Sequence, residues 1–211
     1  MSRRLSVVAV LAALLLTGCS APSQQYVNAD SYGMYLALPK TWEQVPDSQV
    51  KTAQSGWNDD PGQVYTQTVL WQKIWGPTGV TPKMVFDSRP TKQPTAYAFV
   101  RDLLNVEQQQ VSGDVATSLQ DIIIPASSLA AAGIDVSTEQ WNKNGFVGIH
   151  QRATYPMAGG KSTVEAVSML APDRKRLYVL VLRCSDTCYA AHADEFDQVM
   201  KSLTFKETRG Q

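Results

Sequence analysis

The sequence predicts an α+β domain with helices packed on an antiparallel sheet. Three observations predict it. The C-terminal third holds strand-like runs from Gly145 to Tyr155, Lys161 to Leu170 and Leu177 to Arg183, split by short polar breaks, as an antiparallel meander requires. Two stretches, Thr95 to Gln110 and Tyr189 to Leu203, carry apolar residues at helical spacing. Near the start, Tyr32, Met34, Leu36 and Leu38 alternate with Gly33, Tyr35 and Ala37, the period of a half-buried strand.

Before that strand the chain reads as an export leader, residues 1–18. Arg3 and Arg4 precede an apolar run of twelve residues, Leu5 to Leu16. Twelve helical residues rise about 18 Å, short of a bilayer core of about 30 Å, so the run fits a signal peptide. Leu16-Thr17-Gly18-Cys19 follows, a lipobox. The chemistry needs a thiol to take up diacylglycerol and small residues before it for the signal peptidase. Cys19 is therefore the expected lipidation site and membrane the expected first partner, on the extracytoplasmic face. Ser20 after the cysteine, in place of Asp, permits an outer-membrane address in a Gram-negative host. Residues 19–30, small, polar and Pro-containing, read as a flexible tether, with a single domain over 31–211.

Cleavage leaves 193 residues, enough for one substantial core. It also lowers the basic count from 19 to 17 against 19 acidic side chains, a net charge of −2. Such a domain has no electrostatic reason to bind nucleic acid.

Along the domain, Pro39-Lys40 ends the first strand and Trp42 to Val45 form a second short one. Asp47 caps a short helix over Ser48 to Gly56. Val64 to Trp75, bounded by Pro61-Gly62 and Gly76-Pro77, is one element: its β-formers favour a strand, while Trp71 and Trp75 would also share one face of a helix. Met84 to Phe86 is a further short strand. Pro94 opens the helix to Gln110. Ile122 to Ile124 form at best a short strand, and Ser127 to Gly133 is Ala-rich. Leu177, Val179 and Val181 alternate with Tyr178, Leu180 and Leu182, so both faces of that strand are apolar and it lies centrally in its sheet.

With Cys19 lipidated, Cys184 and Cys188 remain. Disulfides persist outside the cytoplasm, and a turn brings two such Cα atoms within bridging range. A disulfide here fixes the chain where a strand hands over to a helix. The C-x-x-x-C spacing differs from the C-x-x-C of thioredoxin-like redox motifs.

Two stretches resemble a known family. Tyr35-Leu36-Ala37-Leu38-Pro39-Lys40-Thr41-Trp42 is a strand ending in Pro-x-x-Trp, and Phe196 to Phe205 is a helix ending in Ser-Leu-Thr-Phe. With the meander they resemble the Mog1/PsbP-like fold, which includes actinobacterial LpqN-type lipoproteins. The resemblance implies an αβα sandwich and a non-enzymatic role: binding proteins or amphiphilic lipids, or supporting an assembly of the cell envelope.

No motif supplies catalysis. A hydrolytic triad needs a base beside a nucleophile, and the chain has two histidines, His150 and His192, neither near a G-x-S-x-G. Both read as surface or boundary residues. Zinc spacings are absent. Ala158-Gly159-Gly160-Lys161-Ser162 resembles a P-loop tail, but Tyr155 stands where the pattern needs glycine, and the glycines serve a hairpin turn. Asp59-Asp60 is a solvated loop without further oxygen ligands. No cofactor or metal is implied. Trp57, Trp71 and Trp75 are the one feature with binding character, as core residues or as the wall of an apolar groove near Trp71 and Trp75 for an acyl chain or a partner. The alternative is an envelope hydrolase with a site assembled from scattered residues, signalled by a cleft joining His150 to a carboxylate such as Glu165 and a hydroxyl.

Overall fold

A computed structural model describes residues 23–57, 65–111 and 113–207. The leader, Cys19 and Asp59-Asp60 lie outside them. The architecture is α+β, built on a seven-stranded antiparallel sheet.

In chain order the strands are β1 (Gln24–Ala29), β2 (Met34–Pro39), β3 (Glu43–Gln44), β4 (Val69–Gly76), β5 (Thr95–Asp102), β6 (Val136–Lys143), β7 (Phe146–Met157), β8 (Gly160–Leu170), β9 (Arg176–Ser185) and β10 (Thr204–Phe205). The helices are α1 (Asp47–Gln54), α2 (Pro82–Phe86), α3 (Asn105–Gln110), α4 (Val115–Leu119), α5 (Ala126–Ala131) and α6 (Asp186–Ser202). The large sheet runs β3-β4-β5-β9-β8-β7-β6 and a small one β1-β2-β10.

The small sheet and α6 cover one face of the large sheet. There Met34, Leu36 and Leu38 meet Phe196, Val199 and Met200, over Ala96, Ala98, Leu180 and Leu182. On the other face Tyr97, Phe99, Ile149, Leu177 and Val179 pack against Val50, Val111 and Leu119. A smaller cluster forms where Ile124 and Leu129 meet Ala153, Val164 and Ala166. The result is a sandwich with the large sheet in the middle.

The meander β7-β8-β9 and the last helix stand where the sequence places them, and β9 is central. Ala158 and Gly159 make the β7–β8 turn, with Gly159 at φ +89. Asn144 and Gly145, both at positive φ, close the β6–β7 hairpin as a type I′ turn demands. Cys184, at the end of β9, is bridged to Cys188 in the first turn of α6, with Cα atoms 5.8 Å apart.

Several expectations need correction. Thr95 to Gln110 is not one helix: it is strand β5, then the short helix α3. β5 is apolar on both faces because both are buried, and a run without polar alternation carries no period to tell strand from helix. Met84 to Phe86 lies in helix α2, opened by Pro82 at a position where a missing N–H costs nothing. Ile122 to Ile124 form no strand; Ile124 is a buried plug beneath the sheet. The strand expected over Val64 to Trp75 begins at Val69. Asp47 begins α1 but does not cap it, its carboxylate being turned to Lys73. Most of the tether expected over 19–30 is folded: β1 pairs with β2 from Gln24↔Pro39 to Ala29↔Met34, and Lys40 N–H donates to Ser23 O at 2.9 Å. Among the described residues no helix is long and apolar enough to cross a membrane.

Candidate functional site

A cleft of about 250 Å³ lies between α1 and β4. Asp47, Val50 and Lys51 form one wall, and Val69, Leu70, Trp71, Gln72 and Lys73 form the other. Five consecutive residues of a strand line it. Successive side chains point to opposite faces, so the cleft runs along the strand's edge. The edge is open because β3 is short: it pairs with Trp75 and Gly76, and Val45 N–H reaches Ile74 O at 2.9 Å. Among the described residues no strand pairs with β4 before that point on this side. A bulge at Leu70 leaves that side chain 37% exposed.

The rims are braced. Lys73 Nζ bonds both oxygens of Asp47, at 2.6 and 2.7 Å, tying β4 to the first turn of α1. Gln54 and Gln72 exchange reciprocal amide hydrogen bonds at 2.8 Å, tying it to the last turn. The Tyr65 and Tyr97 hydroxyls both lie 2.9 Å from Gln72 Oε1 and touch each other, so that one phenol donates to the amide oxygen and the other to its neighbour. Burial pushes the Tyr65 phenol up to about 12. It also raises Tyr97, with the neighbouring Tyr65 adding to the effect. These phenols are locked, neutral groups, fit to hold shape and unfit to act as bases at neutral pH.

The three tryptophans do not come together. Trp71 lines the cleft, with its ring 6.1 Å from that of Trp75, which is buried in the core. Trp57 sits on the opposite face of the sheet against Tyr65 and Phe86, with ring centres at 5.6 and 5.0 Å. Trp71 is thus the tryptophan placed at a cavity, and Val50, Lys51 and Leu70 are the neighbours that sequence reading missed. The signal for Leu70 was present, an apolar residue out of phase within a strand.

A second polar cluster joins β7, β8 and α6. His150 Nε2 lies 2.8 Å from Glu165 Oε1, and Tyr189 donates to Glu165 Oε2 at 2.8 Å. Arg152 Nη1 donates to the Tyr189 oxygen at 3.4 Å. Glu165 is 5% exposed. His150 Nδ1 lies 3.7 Å from Glu139, and its ring lies 4.9 Å from that of Trp141. Both ring nitrogens of His150 therefore face carboxylates, and the nearby hydroxyl is a phenol already donating to one of them. Burial raises that phenol above its ordinary range. The groups satisfy one another, which is what a buried carboxylate requires. His192 pairs with Glu195 at 3.2 Å on α6. Among the described residues no three His, Cys, Asp or Glu side chains are grouped to hold a metal.

No protein-family model matches the chain, and no curated protein does. Solved structures do. Cyanobacterial PsbP (CyanoP) from Synechocystis sp. PCC 6803 aligns over 91% of this chain and 99% of its own, at 12% identity and a TM-score of 0.53. The fold is PsbP-like. LpqN of Mycobacterium tuberculosis, involved in cell envelope biogenesis, aligns over 87% of this chain and 92% of its own, at 16% identity and a TM-score of 0.48. At such identities the PsbP-like likeness concerns the fold, and the site must be read from this chain's own residues.

Proposed function

We propose that the protein is a lipid-anchored, extracytoplasmic binding protein of the cell envelope, acting without catalysis, and that the cleft between α1 and β4 takes an amphiphilic lipid or a partner segment. The lipobox ending at Cys19 supports the anchor, and the Cys184–Cys188 bridge suits an oxidising compartment. The observation that carries the binding reading is the cleft itself. Its apolar surface comes from Val50, Val69, Leu70 and Trp71, and Lys51 stands at its rim. An apolar wall with a cation at the mouth suits a chain that ends in an anionic group.

Tryptophan fluorescence tests it. Titration with a lysophosphatidylglycerol below its micellar concentration shifts the Trp71 emission to the blue in the native protein. The shift is lost in Trp71→Phe and weakened in Lys51→Glu. An emission that never moves, with Trp71 inaccessible to acrylamide, sinks the reading.

The convergence of His150, Glu165 and a hydroxyl favours a second reading, an envelope hydrolase. Here the hydroxyl is the Tyr189 phenol, spent on the carboxylate, and the histidine faces Glu139 on its other side. Hydrolysis of a generic ester that His150→Ala abolishes while His192→Ala does not would restore the enzyme reading.

A further inference from the structure

The anchor reading, combined with the place of Ser23 in the fold, specifies which end of the domain meets the membrane. Ser23 is already held in the small sheet, since its carbonyl accepts Lys40 N–H at 2.9 Å. Between Cys19 and Ser23 the chain has four Cα–Cα steps, which reach at most about 15 Å when fully extended. A domain of this size has a radius of gyration of about 16 Å. The leash is shorter than the body it holds.

The orientation of the small sheet is also fixed. Tyr178 Oη donates to Tyr32 O at 2.8 Å, and Arg176 lies over the Tyr32 ring at 5.4 Å. The β1–β2 turn therefore sits at the Arg176 end of the large sheet. Ser23, Pro39 and Lys40 form the opposite end. The side chains offered there suit a headgroup layer. Tyr26, three residues into the folded chain, is 85% exposed, the most exposed large apolar side chain among the described residues. Tyrosine partitions to the membrane interface, with its ring among the acyl carbonyls and its hydroxyl in water. Neither Ser23 to Ala29 nor Pro39 to Trp42 contains a carboxylate, and Lys40 is exposed.

We infer that the half of the small sheet nearest Ser23, which carries Tyr26 opposite Ala37 and ends at Lys40, is apposed to the lipid bilayer, so that the domain lies against the membrane that holds it. The inference rests on acylation of Cys19.

Chemical protection on vesicles tests it. The full mature chain, acylated at Cys19, is reconstituted into phosphatidylcholine–phosphatidylglycerol vesicles and treated with tetranitromethane or an amine-reactive ester. Lys175, exposed at the far end of β5 where its carbonyl accepts Leu103 N–H, is the reference. Ester modification of Lys40 relative to Lys175, and nitration of Tyr26 relative to Tyr32 at the opposite end of the small sheet, fall at least threefold compared with the same chain carrying a long Gly-Ser insertion after Ser20. Equal modification in the two proteins, with acylation intact by mass spectrometry, overturns the apposition and leaves the anchor standing. A chain found unacylated and free of the vesicles overturns both.

Discussion

The Tyr189 phenol donates to the Glu165 carboxylate across 2.8 Å, and this one bond joins the first turns of α6 to the middle of the sheet. Glu165 is buried, and its other oxygen faces His150. Removing the phenol leaves half of a buried carboxylate without a donor. Tyr189→Phe is expected to cost about 1–3 kcal/mol, read as a lower urea midpoint with an unchanged slope. Glu165→Gln, which keeps the shape and a hydrogen-bonding oxygen, should cost less than Glu165→Ala. Equal losses in the two would show that the network contributes by packing alone.

Alkaline pH should loosen the other face of the sheet. Tyr65 titrates at about 12 in the folded chain and Tyr97 is also raised, against about 10 in an unfolded one. The folded state thus holds these protons more tightly. The stability they contribute is fully present below pH ~10 and is lost as the pH climbs toward 12. Tyr97→Phe should flatten this alkaline decline. Spectrophotometric titration should show the buried phenols, Tyr65 and Tyr97 among them, ionising together with unfolding.

At the acid end the same linkage runs the other way. Arg101 bonds both oxygens of Glu107, at 2.6 and 2.8 Å, and Leu104 N–H donates to that carboxylate at 2.8 Å. The Arg101 bonds, then the Leu104 N–H, hold Glu107 below the usual carboxylate range. Its contribution is present above the ordinary glutamate value of about 4.3 and fades as the pH falls through the lowered one. Glu107→Gln should shrink the difference in melting temperature between pH 6 and pH 3. An identical pH dependence in the variant would remove Glu107 from the acid transition.

Gly148 lies opposite Trp141 on one side and Met169 on the other. A Cβ there would strike the Ser168 carbonyl and come within 2.7 Å of Met169 Cα, both backbone atoms of β8. Gly148→Ala should therefore destabilise by about 1–3 kcal/mol or more, where an exposed glycine such as Gly113 would tolerate alanine. Differential scanning calorimetry on the two variants separates a steric clash from a general effect of losing glycine.

The disulfide closes a small loop, so its effect through the unfolded chain is modest, about 2 kcal/mol. A Cys184→Ser, Cys188→Ser double variant should fold and melt somewhat earlier. Failure to fold would mean that the bridge directs α6 onto the sheet during folding.

How much of this was legible depended on burial. β8 and β9 were readable because tight turns bound them. β5 was not, because Ala96, Tyr97, Ala98, Phe99 and Val100 are all buried and no polar face marks its period. β6 was missed, because exposed polar side chains occupy much of both its faces. The His150–Glu165 pair was within reach of sequence reasoning. The Ala158-Gly159 turn sets the hairpin register, placing Arg152 opposite Glu165 and His150 two residues along on the same face. Tyr189 was beyond it, since only the docking of α6 brings the phenol there.

The sequence alone determined the expected address, the pairing of Cys184 with Cys188 and the meander, because each is written in residues that are near neighbours along the chain. Tertiary structure alone decided that β3 stops short and leaves an edge of β4 open beside α1, and that Trp57 and Trp71 lie on opposite faces. It also decided that Gln24 to Ala29 form a strand paired with β2. These are consequences of which segments cover one another, and coverage depends on contacts between distant parts of the chain that no local pattern encodes.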